Sequence, residues 1–170
     1  MTNIGLLSDT HGYLDERIIS HLEDCDEIWH SGDIGDIDLA DKLAKIKPLK
    51  AVYGNIDGNK LRLCYPQDLV FMCENTKVFI THIGGYPGSY ASGIKNKIQE
   101  IKPDLFICGH SHILKVMPDK INHLLHMNPG AAGKHGFHKI RTLLKFSING
   151  KKFENVRVVE LGLRGEIEAA

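Results

Sequence analysis

The chain lacks the features that mark several whole classes of protein. It has no uncharged apolar stretch of about 18 residues, so no segment is expected to span a membrane. Its N-terminus carries no basic segment followed by a long apolar one, so no secretion signal is read there. It has no net charge: Lys plus Arg and Asp plus Glu both number 21, which gives no support to a nucleic-acid-coating role. Cysteine is scarce, with four residues (Cys25, Cys64, Cys73 and Cys108) and no two at a C-x-x-C spacing. That argues against a structural zinc knot and for reduced, at least partly buried thiols in a cytoplasmic protein. No G-x-x-x-x-G-K-[ST] phosphate loop occurs, and there is no internal repeat, low-complexity stretch or linker. The rest is ordinary: 170 residues, 42% hydrophobic and 25% charged. This is the make-up of a single globular domain, residues 1–170, able to bury roughly 70% of its unfolded surface without staples.

What is present is a recurring punctuation. Five apolar runs each end in polar residues of metal-ligand type: Asp9-Thr10-His11, Gly32-Asp33, Gly54-Asn55, Thr81-His82 and Gly109-His110-Ser111-His112. The runs read as buried strands at Ile4–Leu7, Glu27–His30, Leu49–Tyr53, Lys77–Thr81 and Leu105–Cys108. Helical spacing is found for Leu14, Ile18, Ile19 and Leu22, for Leu39 to Ile46 ahead of Pro48, and for Tyr90, Ile94, Ile98 and Ile101 ahead of Pro103. The opening βαβαβ order implies parallel pairing through right-handed crossovers, and in such sheets sites gather at the carboxyl ends of the strands. Asp68–Cys73 should pair with Lys77–Thr81 as a hairpin through Glu74-Asn75-Thr76. The tail, with runs at Leu114–Met117, Ile121–Met127, Thr142–Ile148 and Phe153–Leu161, reads as mostly antiparallel. Pro118-Asp119 and Asn149-Gly150-Lys151 mark its turns.

The five segments supply two aspartates, one asparagine and four histidines. All offer oxygen or nitrogen and none offers sulfur, and seven such side chains suffice for two metal ions that share a ligand. Two ions held about 3.5–4 Å apart are the usual machinery for cleaving phosphate esters with water. Singly, each residue has an ordinary explanation, since a strand-end histidine can be merely hydrogen-bonded and an aspartate can cap a turn. Together, and in this order, they point to a hydrolytic metal centre.

The ordered set Asp9-x-His11, Gly32-Asp33, Gly54-Asn55, His82 and Gly109-His110-x-His112 resembles the calcineurin-like metallophosphoesterase superfamily. The small size and the segment Met127-Asn128-Pro129-Gly130-Ala131 resemble its compact YfcE-type phosphodiesterase branch. The resemblance, spanning roughly Ile4 to Leu161, implies an α/β fold of two packed mixed β-sheets flanked by helices, an α/β/β/α sandwich. It implies that Asp9, His11, Asp33 and His112 hold one divalent ion and that Asp33, Asn55, His82 and His110 hold a second, with Asp33 bridging. A hydroxide held between the ions would attack a small phosphodiester substrate, with Asp33 and Asn55 as catalytic residues, and Asn55 would also present its amide N–H₂ to a phosphate oxygen. Mn²⁺ is the expected metal, with Zn²⁺, Fe or Ni²⁺ compatible with the same donors.

The sequence Gly54-Asn55-Ile56-Asp57 departs from larger members of the superfamily, where a His follows the Asn and can assist the leaving group. Ile56 cannot transfer a proton, which leaves the general acid open. His135 and His138, in the Gly-rich segment Gly130–Gly136 and just beyond it, are candidate substrate-binding residues. His30 reads as a packed strand residue or as a partner orienting a ligand, while His123 and His126 read as surface strand positions. The alternative function is a non-catalytic protein-binding scaffold, as in the retromer subunit of the same fold; nucleic acid is not expected as a partner. The tail strands could pair between chains in a homo-oligomer.

Overall fold

Alternation of apolar runs with amphipathic stretches builds strands and helices in the expected sequence. A computed structural model describes residues 1–166. In chain order the elements are β1 (Thr2–Leu7), α1 (Glu16–Leu22), β2 (Glu27–His30), α2 (Ile37–Ile46), β3 (Leu49–Ala51), α3 (Asn59–Cys64), β4 (Asp68–Cys73) and β5 (Thr76–Thr81), then β6 (Gly85–Tyr86), β7 (Ser89–Tyr90), α4 (Ile94–Ile101), β8 (Leu105–Ile107), β9 (Leu114–Asp119), β10 (Leu124–Pro129), β11 (Ile140–Asn149) and β12 (Lys152–Leu163). Asp15 and Asp36 cap α1 and α2 by accepting the Ile18 and Leu39 amides at 2.9 and 2.7 Å, satisfying N–H groups that the first helical turn leaves free.

Two five-stranded sheets result, ordered β12-β11-β1-β2-β3 and β4-β5-β8-β10-β9. Each has three parallel strands, β1-β2-β3 at one side of the first sheet, with antiparallel β11 and β12 beyond β1, and β5-β8-β10 at the centre of the second, flanked by antiparallel β4 and β9. The facing sides share a core of Ile4, Leu6, Trp29, Val78, Ile80, Leu105, Met127 and Leu144. Trp29 is fully buried there, edge-on to Phe71 and Phe146, and its indole N–H donates to Glu27 at 2.7 Å. On the outer face of the first sheet, Ile18, Leu22, Leu39, Leu43 and Leu61 of the three first helices cover Leu7, Ile28 and Ala51. On the second, Ile94 and Ile98 of α4 cover Phe79, Phe106 and Leu124. The layers are therefore α/β/β/α, as expected. Among the described residues no helix is long and apolar enough to cross a membrane.

The tail is mostly antiparallel, as read, with β9 on β10 and β11 on β12, while β10 also pairs in parallel with β8. Several expectations are corrected. The strand expected at Ile121–Met127 begins instead at Leu124, since Asp119 Oδ1 accepts both the Ile121 and Asn122 amides at 3.0 Å and turns the chain there. The third strand ends at Ala51 and not Tyr53. Tyr90 lies in the short β6-β7 hairpin ahead of α4, and α3 has no counterpart in the sequence reading. His126 is fully buried against Phe106 and not at the surface, and His123 lies outside the strands. Cys25, Cys73 and Cys108 are buried free thiols, whereas Cys64 is exposed.

Candidate metal centre

The parallel strands of both sheets end along one edge, and every candidate ligand follows one of those ends: Asp9 and His11 after β1, Asp33 after β2, Asn55 after β3, His82 after β5, and His110 and His112 after β8. Backbone bonds knit these loops together. Asp9, His11 and Gly12 donate to Gly32, Asp33 and Ile34 at 3.0, 3.0 and 2.8 Å. Gly109 donates to His82 at 2.9 Å, and Ala132 and Gly133, beyond β10, donate to Ser8 and Asp9 at 2.9 and 3.1 Å. The loops of two sheets thus form one rigid floor.

The fit is close enough to constrain the backbone. A Cβ on Gly54 would overlap the Asp33 carboxylate, and one on Gly109 would overlap the Ser8 hydroxyl and lie 2.8 Å from Asp9 Oδ2. Asp9, His11, Asp33, His110 and His112 all take left-handed φ angles between 47° and 70°, a region non-glycine residues seldom occupy and one associated with functional sites.

Two groups of donors form. Asp9, His11 and His112 offer ligand atoms within 4.8 Å of one another, as do Asp33, His82 and His110. Asp33 Oδ2 stands between them, 3.2 Å from His82 Nε2 and 3.5 Å from His11 Nε2, while Asp9 Oδ1 is 3.1 Å from His112 Nε2. Asn55 joins the second group through its amide oxygen, 3.0 Å from His110 Nδ1. All seven expected residues are brought together.

The donors are also oriented as metal ligands need to be. His82 Nδ1 lies 2.8 Å from the Ser31 carbonyl, which can only accept, so Nδ1 carries the proton and Nε2 faces the carboxylates. That Nε2, and that of His11, are buried without a hydrogen-bond partner. A buried imidazole nitrogen aimed between two carboxylates is what a cation requires, and the donor set fits one. Burial would raise the Asp9 carboxyl, but His11, His112, His82 and Ser8 together hold it well below the usual range. Asp33 is lowered in the same way, against its burial, chiefly by His82. Burial works against a charged His82, yet Asp33 and Asp9 raise it. Both carboxylates are thus ionised at neutral pH.

Other residues hold the ligands without reaching the cleft. The buried Asp57 carboxylate accepts three backbone amides, from Ile34, Gly35 and Gly54, at 3.1, 2.8 and 2.8 Å. It ties the Asp33 loop to the Asn55 loop. Asn128 donates to the Gly109 carbonyl at 3.0 Å and to Ser111 Oγ at 3.1 Å, fixing the segment that carries His110 and His112. His30 Nδ1 accepts the Gly32 amide at 3.1 Å, so its Nε2 carries the proton given to Thr10 Oγ1 at 3.0 Å. Burial pushes its pKa down to about 4, which keeps the ring neutral. His30 therefore orients two ligand loops rather than a ligand side chain. Asp57 stood in the sequence beside Asn55, but nothing marked it as the acceptor for two loops.

The further histidines divide. The exposed His135 lies in the cleft with its ring 4.7 Å from that of His11. His138 donates Nε2–H to the Gly133 carbonyl at 2.8 Å and packs edge-on to His112, so it closes its own loop.

A family model for the calcineurin-like phosphoesterase superfamily domain matches residues 2–151. The chain belongs to this superfamily. Within it, a probable metallophosphoesterase of Methanocaldococcus jannaschii is 27% identical over 154 residues, 87% of this chain and 77% of that protein. The structure of an archaeal phosphodiesterase superposes with a TM-score of 0.73 at 23% identity, covering 93% of this chain and 99% of the other. Vps29 of Chaetomium thermophilum gives 0.76 at 17% identity, with 94% and 97% covered. At these identities the two solved structures establish a shared fold. Metallophosphoesterases bind divalent metals and hydrolyse phosphate esters, and this chain carries candidate ligand groups for such ions.

Proposed function

We infer that the protein is a phosphodiesterase that works with two divalent metal ions, Mn²⁺ foremost, held by Asp9, His11, Asp33 and His112 on one side and Asp33, Asn55, His82 and His110 on the other. One observation carries this reading: two three-residue donor groups meet at Asp33 Oδ2, with two buried imidazole nitrogens otherwise unpartnered. Bound cations of this kind supply Lewis-acid polarisation of phosphoryl oxygens and a water acidic enough to attack near neutral pH.

The chain's own residues do the positioning. Asp33, held by the Ile56 amide on Oδ1 at 3.1 Å, keeps Oδ2 directed at both groups and balances two nearby positive charges. His82 is fixed through Nδ1 on the Ser31 carbonyl, which leaves Nε2 as the donor atom, and His110 turns Nδ1 towards the Asn55 amide oxygen of the same group. The Asn55 amide stands at the mouth of the cleft, where its N–H₂ can meet a phosphate oxygen. At position 56 the main chain serves Asp33, while the Ile56 side chain has no proton to give. Leaving alcohols that depart as stable anions are therefore favoured, and aryl diesters should turn over faster than matched alkyl diesters.

The test is hydrolysis of bis(4-nitrophenyl) phosphate and of 4-nitrophenyl phosphate by chelator-stripped protein, reloaded separately with Mn²⁺, Zn²⁺, Fe²⁺ and Ni²⁺. Diester cleavage that needs an added ion, exceeding monoester cleavage, supports the reading. No cleavage with any ion would favour the second reading, a protein-binding scaffold, which the fold shared with Vps29 supports.

A further inference from the structure

The cleft over the candidate metal centre, about 540 Å³, is not lined by polar residues alone: Ile56, Ile113 and Phe137 stand around His11, His110 and His112. These three are 47%, 61% and 102% exposed. Exposed apolar side chains scattered singly are ordinary, but three around one small cleft are not scattered. Nor is Phe137 thrown outward by a loose chain. The Gly133 amide is bonded to Asp9, His138 closes on the Gly133 carbonyl, and Arg164 Nε donates to the His138 carbonyl at 2.8 Å. Between them Gly136 takes φ +126° and lies so close to the His112 ring that a Cβ would overlap it. The segment is pinned on both sides of Phe137, and the phenyl ring is held clear of the protein.

We propose that Ile56, Ile113 and Phe137 form a subsite for a planar apolar substituent of the phosphodiester, an aryl or heteroaryl ring, bound next to the phosphate. This rests on reading the cleft as a phosphodiester site. The chemistry of the wall selects the ring: Phe137 and the exposed His135 imidazole, which is not a metal ligand, line the same cleft, and aromatic rings pair favourably in offset-stacked or edge-to-face arrangements. The cleft volume falls within the range of small-molecule sites, apolar with a few polar groups that fix orientation. Continuity with the phosphate-binding floor makes the substrate's own organic group the occupant.

The test separates this subsite from catalysis by using two non-hydrolysable ligands with the same phosphonate head group, compared at a pH where both are dianions. Phenylphosphonate and methylphosphonate are titrated calorimetrically into the Mn²⁺-loaded protein. Phenylphosphonate should bind at least tenfold more tightly, a difference of about 1.4 kcal/mol. In the Phe137→Ala/Ile113→Ala double variant that preference should fall to about twofold or less. Because both side chains are exposed, the variant should melt at the wild-type temperature. Equal affinity for the two phosphonates in the wild type, a preference that survives the double substitution, or no binding of either would each overturn the proposal. So would a wild-type dimer that Phe137→Ala dissociates, because the rim would then be a subunit contact. Turnover of bis(4-nitrophenyl) phosphate is scored separately. A phenyl preference without hydrolysis sinks the phosphodiesterase reading and leaves the subsite standing, and hydrolysis without the preference does the reverse.

Discussion

At Asp33 one carboxylate oxygen accepts the Ile56 amide while the other lies within 3.5 Å of both His82 Nε2 and His11 Nε2. Asp33→Asn can keep the first contact through its amide oxygen, but removes the charge that two cations would share. The expected result is an unchanged far-ultraviolet spectrum, loss of bound metal and a fall in diesterase activity of at least about 100-fold, the upper end of what disturbing mere supporting contacts costs. Elemental analysis and turnover of the same preparation check this. Asp57 acts one step further out. Asp57→Ala would strand the buried amides of Ile34 and Gly54 and the half-buried one of Gly35, each buried one costing about 1–3 kcal/mol when unpaired, so a marked drop in melting temperature is expected together with about 10- to 100-fold weaker metal binding. The residue types of the seven ligands were legible because an apolar run cut short by Asp, Asn or His leaves a recognisable trace. Asp57 was not, because holding backbone amides of a distant loop leaves no pattern in a linear chain, and for the same reason the sequence left His30 open between a packed strand residue and a partner orienting a ligand.

The working elements are the loops that follow the parallel strands, and their shape depends on the residue before each ligand. Gly54 presses on the Asp33 carboxylate, whereas a Cβ on nearby Gly58 would meet nothing within 4 Å. Gly54→Ala should therefore displace Asp33 and cut metal affinity by about tenfold or more. Gly58→Ala, at the N-cap of α3, should cost about 0.5–1 kcal/mol of stability and leave metal binding intact. Metal titrations of the two variants side by side check the contrast. Most strands and three helices could be read from periodicity. The exception, α3, is six residues long, has no side-chain cap and buries only Leu61, so it offers no amphipathic repeat to detect. β10 does pair antiparallel with β9, but its parallel pairing with β8 follows from β9 lying at the edge of the same sheet and β10 turning back between them, an order that periodicity does not encode. The left-handed backbone at Asp9, His11, Asp33, His110 and His112 was illegible too, as these residues take it only when the surrounding loops impose it.

Across the whole molecule, burial of uncharged histidine ties stability to pH. His126 lies between β8 and β9 with both ring nitrogens unpartnered. Burial, aided by Lys115, brings its pKa down to about 4 from an ordinary 6.5. The folded value lies below the unfolded one, so as pH falls from about 6.5 towards 4 the unfolded chain binds a proton that the folded chain refuses. Stability is then lost through that window and levels off beneath it. For His126 the loss between pH 7 and 5 is on the order of 2 kcal/mol. His126→Leu should make the melting temperature fall less over that interval than in the wild type, as thermal unfolding at pH 7 and pH 5 with chelator present will show. The same sheet arrangement that buries His126 brings the strand ends of both sheets to one edge, and the function rests on that convergence. Anomalous diffraction from crystals grown with Mn²⁺ tests it most directly. Two peaks about 3.5–4 Å apart are expected on either side of Asp33 Oδ2, one among Asp9, His11 and His112 and the other among Asn55, His82 and His110. A single peak, peaks elsewhere on the surface, or none at all would contradict the assignment.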